Sequence, residues 1–193
     1  MQAYHNGQPT SFLDGASYRR PEEAPDPVFY ATARIAAHID SRAQRTVGAI
    51  YRNIIPEDGM VLDLMSSVHS NLADDQKMAT CYGLGLNAQE MSENPVLSGA
   101  LLADLNADRV IPFADDSFDA AICTVSIDYL TDPVRIVDEV ARVLRPGAAF
   151  AVRFSNRWFP PKVTTLWTEL HPFEQLALVV QYFEVSGSYV EIE

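Results

Sequence analysis

The chain has 193 residues, enough for one domain at roughly 150 residues apiece and for a core that needs no metal or disulfide staple. Hydrophobic residues make up 48% and charged residues 21%, which excludes a disordered chain. Asp and Glu (26) outnumber Lys and Arg (14), and the net charge of −12 speaks against nucleic acid or an anionic membrane as partner.

Met1 to Ser17 is polar, with no apolar core behind a positive end, so it does not read as a secretory signal. No apolar run approaches the roughly 20 residues of a membrane span. Residues 1–27 mix Gly, Pro, Asn, Gln and charge without periodicity and read as a loosely ordered N-terminal arm on a single α/β domain, 28–193. Phe29, Ala33, Ala36 and Ala37, then Ala43, Val47, Ile50, Tyr51 and Ile54, recur at helical spacing. They predict two helices broken near Asp40-Ser41, where both residues can cap the second.

Short apolar runs follow at 60–64, 81–86, 100–105, 120–125 and 148–154, with helical patterns between most of them. The clearest helix spans 132–144. Asp132 can cap it, Pro133 takes the first turn, and Ile136, Val137, Val140, Val143 and Leu144 form one apolar face. Arg145-Pro146-Gly147 stops it sharply. A last amphipathic stretch, 163–182, is interrupted at His171-Pro172, and 188–192 predicts a sixth strand after a turn at Gly187. Continuous apolar strands separated by helices are buried on both faces, which means an open, mostly parallel α/β sheet with helices on both sides. Cys81 and Cys123 sit inside apolar runs and read as reduced core thiols of a cytoplasmic protein.

In such a sheet ligands bind beyond the carboxyl ends of the strands. After the first long strand comes Asp63-Leu64-Met65-Ser66-Ser67-Val68-His69-Ser70-Asn71, an acidic residue on a strand followed by a loop. No G-x-x-x-x-G-K-[ST] phosphate loop, G-x-S-x-G elbow or G-x-G-x-x-G after that strand occurs, which disfavours nucleotide phosphoryl transfer, an esterase and a nicotinamide enzyme. His38 and Asp40 sit two apart with no third ligand spaced to complete a metal site, so no metal is expected.

Asp63 with its loop, then Pro112-Phe113-Ala114-Asp115-Asp116-Ser117-Phe118-Asp119, then Glu139-Val140-Ala141-Arg142-Val143-Leu144-Arg145-Pro146-Gly147, resemble class I S-adenosylmethionine-dependent methyltransferases, small-molecule branch, over roughly 48–154. Val61 to Ser67, Asn87-Ala88-Gln89-Glu90, Asp104-Leu105-Asn106 and Ser155-Asn156-Arg157 look like a branch with a non-glycine loop. The resemblance implies a Rossmann-like sheet, bound S-adenosylmethionine and a small-molecule methyl acceptor. It places Asp63, Met65, Ser66, Ser67, Asn87, Asp104, Leu105 and Ser126 at the cofactor, with Asp104 near the adenine amino group. Tyr30, His38, His69 and Tyr129 are candidates to line the acceptor pocket, and no residue is singled out as catalytic.

Met65, Ser67 and His69 stand where the family carries the glycines of G-x-G-x-G, and a positive φ at any of them would cost roughly 1–2 kcal/mol. Gly85 stands where the family has the acidic residue that takes the ribose hydroxyls; Asn87 could supply one hydrogen bond instead. Asp63 could also simply cap its loop through the Ser66 or Ser67 amides, and Asp104 a turn with Asn106. These substitutions keep a second reading open, a methyltransferase-like fold that binds or scaffolds without catalysis. The family sheet ends in an antiparallel hairpin. With Tyr189, Val190 and Ile192 on an uncovered sixth strand, that edge would invite a second copy and a homodimer.

Overall fold

A computed structural model describes residues 15–78 and 80–193, together with the backbone of two short antiparallel strands, β1 (Tyr4–His5) and β2 (Gln8–Pro9). The rest of the arm expected over 1–27 lies outside the described residues. The body is a five-stranded, wholly parallel sheet of β3 (Met60–Leu64), β4 (Thr80–Gly85), β5 (Gly99–Leu102), β6 (Phe118–Thr124) and β7 (Leu144–Arg153). Their spatial order is β5-β4-β3-β6-β7. The chain thus winds outward from β3 to β5, then returns to lay β6 against the other side of β3. The strand order reverses between β3 and β6, and a crevice opens at their carboxyl ends.

Side-chain alternation along the strands builds the two layers. Val61, Cys81, Ala120 and Ile122 pack with Tyr51 and Ile55 on one face. Leu62, Leu64, Leu84, Ala121 and Cys123 pack on the other with Ile136, Val140, Leu178 and Tyr182. The two cysteines are free, fully buried and in different layers. Helix α2 (Ser41–Ile54) starts where expected: Asp40 Oδ1 accepts from the amides of Arg42 and Ala43, both at 2.9 Å. Helix α4 (Pro133–Val143) also forms, but Asp132 makes no side-chain cap and instead pairs with Arg109 at 3.2 Å. The C-terminal stretch breaks at His171-Pro172 into α5 (Thr165–Glu169) and α6 (Pro172–Ser186), which Gly187 ends in a left-handed conformation, φ +66°.

Two expected elements are absent. The first N-terminal helix is a single turn, α1 (Asp26–Phe29), and residues 31–39 are irregular despite their alanine spacing. Their backbone groups bond elsewhere: Asn87 Nδ2 donates to the carbonyls of Tyr30 (2.8 Å) and Ala31 (3.4 Å), and the Arg34 amide donates to Glu90 (2.7 Å). Side chains on α3 (Ala88–Ser92) and at its cap therefore take up the bonds a helix would have used. At the other end, residues 188–192 form no strand. Tyr189 turns back onto Phe183, ring centroids 4.8 Å apart, and its hydroxyl donates to the Val137 carbonyl. Self-association through an extended sixth strand loses its basis.

Residues 18–26 are held by a buried clasp. Asp26, 3% exposed, takes both oxygens to Arg20 Nη1 (2.8 and 2.7 Å), and the fully buried Lys162 places its Nζ 3.2 Å from the same carboxylate. Asn106 Nδ2 donates to it as well, at 2.8 Å. Burial opposes the Asp26 charge, yet these hydrogen bonds hold its carboxyl below the ordinary range. The clasp therefore adds stability above the unfolded carboxylate value near 4 and loses it as pH falls through the lower folded value. Asp26→Ala leaves the buried Arg20 without its ion pair and Lys162 with only the more distant Glu22 carboxylate at 3.7 Å. It is expected to cost about 3–5 kcal/mol at pH 7 by urea unfolding, with the gap from wild type narrowing in the acid range.

Candidate functional site

The chain leaving β3 bends over the end of β4 instead of standing clear of it. The Ser66 amide donates to the Leu84 carbonyl at 2.8 Å, which requires Met65 to adopt a left-handed conformation, φ +54°. Asp63, 2% exposed, holds the loop from beneath: its Oδ2 accepts from the hydroxyls of Ser66 (2.6 Å) and Ser70 (2.7 Å). Burial pushes its carboxyl up to about 6 against those two bonds. The loop capping considered for Asp63 is real, but it runs through hydroxyls.

The same bend explains Gly85. A Cβ there would lie 2.3 Å from the Ser66 carbonyl oxygen and 3.0 Å from Met91 Sδ, so no side chain fits and the strand-end carboxylate has no room. A second strained residue, Val125, follows β6 with φ +53°, and its amide donates to the Arg153 carbonyl at 2.6 Å. Left-handed conformations of non-glycine residues cost about 1–3 kcal/mol each and collect at functional sites. Both line the crevice.

That crevice is a cavity of about 320 Å³, at the lower end of the range for small-ligand pockets. Asp63, Met65, Ser66, Ser67, Asn87, Asp104, Leu105 and Ser126 all line it, and so do Tyr30, His38, His69 and Tyr129. Met65 does not plug it, since its side chain packs partly against the core. Asp104 Oδ1 caps the turn after β5 through the amides of Asn106 (3.0 Å) and Ala107 (3.2 Å) while the residue still faces the cavity. The Ser126 hydroxyl sits 3.3 Å from Cys123 Sγ. The ribose bond suggested for Asn87 meets a competitor: its Oδ1 caps α3 at the Glu90 amide (3.0 Å) and its Nδ2 holds Tyr30.

The far wall is aromatic. The Tyr129 ring stacks on Phe159 at 6.0 Å, the Phe159 amide donates to its hydroxyl at 2.9 Å, and His38 meets Phe159 edge-on at 5.7 Å. The Arg34 guanidinium lies 4.6 Å from the Phe29 ring centre and 5.1 Å from that of Phe159. Glu90, Arg34 and Phe159 belong to this cavity and were missed as site residues. Asn87-x-x-Glu90 carries a legible capping signal, an N-cap with Glu three residues on. Arg34 and Phe159 have none, because they arrive from distant segments.

Among the described residues no group of three potential ligands could hold a metal, and no helix is long and apolar enough to cross a membrane. A doubly wound sheet with a polar-and-aromatic cavity at its switch point defines an α/β protein with a crevice where such sheets bind ligands. Residues 66–152 match the family model of the methyltransferase domain. Methyltransferase phqN of Penicillium fellutanum is 36% identical over 80 residues, covering 38% of this chain and 24% of that protein, so the match reaches about a quarter of that relative's length. Among solved structures, the [4+2]-cyclase SpnF shares the fold at TM-score 0.56 and 18% identity, covering 80% of this chain and 63% of that one. A SAM-dependent methyltransferase from Aquifex aeolicus does so at 0.51 and 15%, covering 77% and 88%. Residues 66–152 thus resemble a methyltransferase domain, and the sheet has the fold shared by these proteins.

Two measurements check this geometry. Gly85→Ala is expected to cost roughly 1–3 kcal/mol in chemical unfolding, through overpacking against the Ser66 backbone. For Asp63 the folded value near 6 lies above the unfolded value near 3.9, so its contribution is full below pH 4 and lost as pH rises through 6. Asp63→Asn should therefore gain on wild type by roughly 2–3 kcal/mol between pH 4 and 7.5, followed by unfolding at several pH values.

Proposed function

We propose that this chain is an S-adenosylmethionine-dependent methyltransferase that acts on a small molecule in the cytoplasm. The observation that carries the reading is the convergence of the residues expected at the cofactor and acceptor on one open cavity at the carboxyl ends of the strands. The residues fit the cofactor on its adenine side, where Asp104 offers a carboxylate and Leu105 an apolar surface beside it. Ser66, Ser67 and Ser126 supply hydroxyls nearer the switch point, and Asp63 fixes the first of these. S-adenosylmethionine, when bound, supplies an electrophilic methyl group on a sulfonium.

The protein's share is then positioning. Tyr30, His38, Tyr129 and Phe159 wall the acceptor side, and residues 30–39 lie over it, which excludes water and restricts the approach of the acceptor. Holding two reactants in line converts a bimolecular step into an effectively unimolecular one, so a site without an obvious acid–base pair suffices. The two free buried thiols support a reducing compartment. Nothing in the open cavity favours a non-catalytic binding or scaffold protein over this reading.

Calorimetry with S-adenosylmethionine and S-adenosylhomocysteine at up to millimolar concentration tests the reading. Both are expected to bind, and Asp104→Ala should weaken S-adenosylhomocysteine about tenfold through one lost hydrogen bond to a charged group. No heat from a protein that still melts cooperatively would remove the enzyme reading.

A further inference from the structure

We infer that Glu90, paired with Ser67, is the ribose anchor of this site, in place of a carboxylate at the end of β4; the inference rests on the cofactor proposed above. A vicinal diol presents two hydroxyl donors, and a carboxylate is the side chain that accepts both. The strand end cannot provide one, because the Ser66 carbonyl occupies the space a Cβ of residue 85 would need. Asn87 already uses its amide to cap α3 and hold Tyr30.

The acidic residues lining the cavity are Asp26, Asp63, Glu90 and Asp104. Asp26 is taken up by Arg20, Lys162 and Asn106, and Asp63 lies beneath the loop, tied to Ser66 and Ser70. Asp104, in the turn after β5, spends Oδ1 on the amides of Asn106 and Ala107 and is the carboxylate assigned above to the adenine.

Glu90 remains, one turn into the helix that follows β4, 6% exposed yet lining the cavity. Its Oε1 accepts from the Arg34 amide at 2.7 Å and its Oε2 from the Ser67 hydroxyl at 2.6 Å, which leaves each oxygen a further acceptor site. Among the described residues no cationic side chain pairs with it. A buried carboxylate held only by two neutral donors has acceptor capacity for a ligand's hydroxyls. The Ser67 oxygen, donating to Glu90, can accept from one of them. The Arg34 amide ties the same carboxylate to the segment over the acceptor wall, so ribose and roof meet at one side chain.

The test is a comparison of Glu90→Gln and wild type, each titrated calorimetrically with S-adenosylhomocysteine and with its 2′,3′-dideoxyribose analogue. Glu90→Gln should weaken S-adenosylhomocysteine about ten- to a hundredfold and the dideoxy analogue less than about threefold, because the penalty disappears with the hydroxyls. Equal losses for both ligands would reduce Glu90 to a brace for Arg34 and overturn the assignment, leaving the methyltransferase reading intact. Absence of binding to wild type would remove both. If Glu90→Gln does not melt cooperatively, a crystal structure of the wild-type complex decides: a ribose hydroxyl within about 3.2 Å of the Glu90 carboxylate supports the anchor, and a ribose out of its reach refutes it.

Discussion

The site is organised by the close approach of the Ser66 backbone to the end of β4. One hydrogen bond, from the Ser66 amide to the Leu84 carbonyl, draws the loop across the neighbouring strand. Three features that look unrelated in the sequence are conditions for that bond. Met65 must turn left-handed, residue 85 must lack a side chain, and Asp63 must lie beneath with its oxygen toward two serine hydroxyls. The strain at Met65, about 1–3 kcal/mol, is offset by three buried hydrogen bonds, two of them to a carboxyl group. A glycine-rich loop makes room for a ligand by having no side chains. This loop makes room by lying flat against the strand beside it, with the Met65 side chain turned partly into the core.

The consequences spread from there to the roof of the cavity. With no side chain at the end of β4, the polar groups near it come from the start of α3. Asn87 and Glu90 reach both inward to the cavity and across to residues 30–34. On the other side Asn106, in the turn after β5, reaches Asp26 and accepts from Thr131. The N-terminal segment is therefore fastened at two posts set beyond β4 and β5, and its Arg20–Asp26–Lys162 clasp closes the seam against the C-terminal part of the chain. The aromatic wall is assembled by the same fastening, since Tyr30 comes from the roof and Tyr129 and Phe159 from the body.

Shared architecture and shared chemistry separate clearly in this family of folds. A [4+2]-cyclase and a methyltransferase from Aquifex aeolicus overlay this sheet to similar extents at low identity. What distinguishes members is which side chains stand at the strand ends and what they are free to bind. Here Asp104, in the turn after β5, and Glu90, on α3, both line the cavity, while the end of β4 carries no side chain. The sheet serves to bring Asp104 and Glu90 to one open cavity.

Much of this was legible in one dimension. Runs of apolar residues marked five strands; in β3, β4 and β6 the reason is burial on both faces, whereas β5 and much of β7 are more exposed. Asp40 marked the start of α2 because a carboxylate there satisfies free amides. The residues nominated around the strand ends all reached one cavity, since a parallel sheet brings every carboxyl end to the same side. The failures share a cause. The alanine spacing of 33–37 implied a helix, but the competing acceptors and donors were Asn87 and Glu90, more than fifty positions away. Tyr189 looked like part of an edge strand until its ring had Phe150 and Phe183 to pack against. Residue order along the chain sets which face of each element is greasy and where it can begin. Which backbone groups are captured, which glycine has no space beside it and which carboxylate faces a ligand depend on atoms brought together only by folding, and no local pattern encodes those distances.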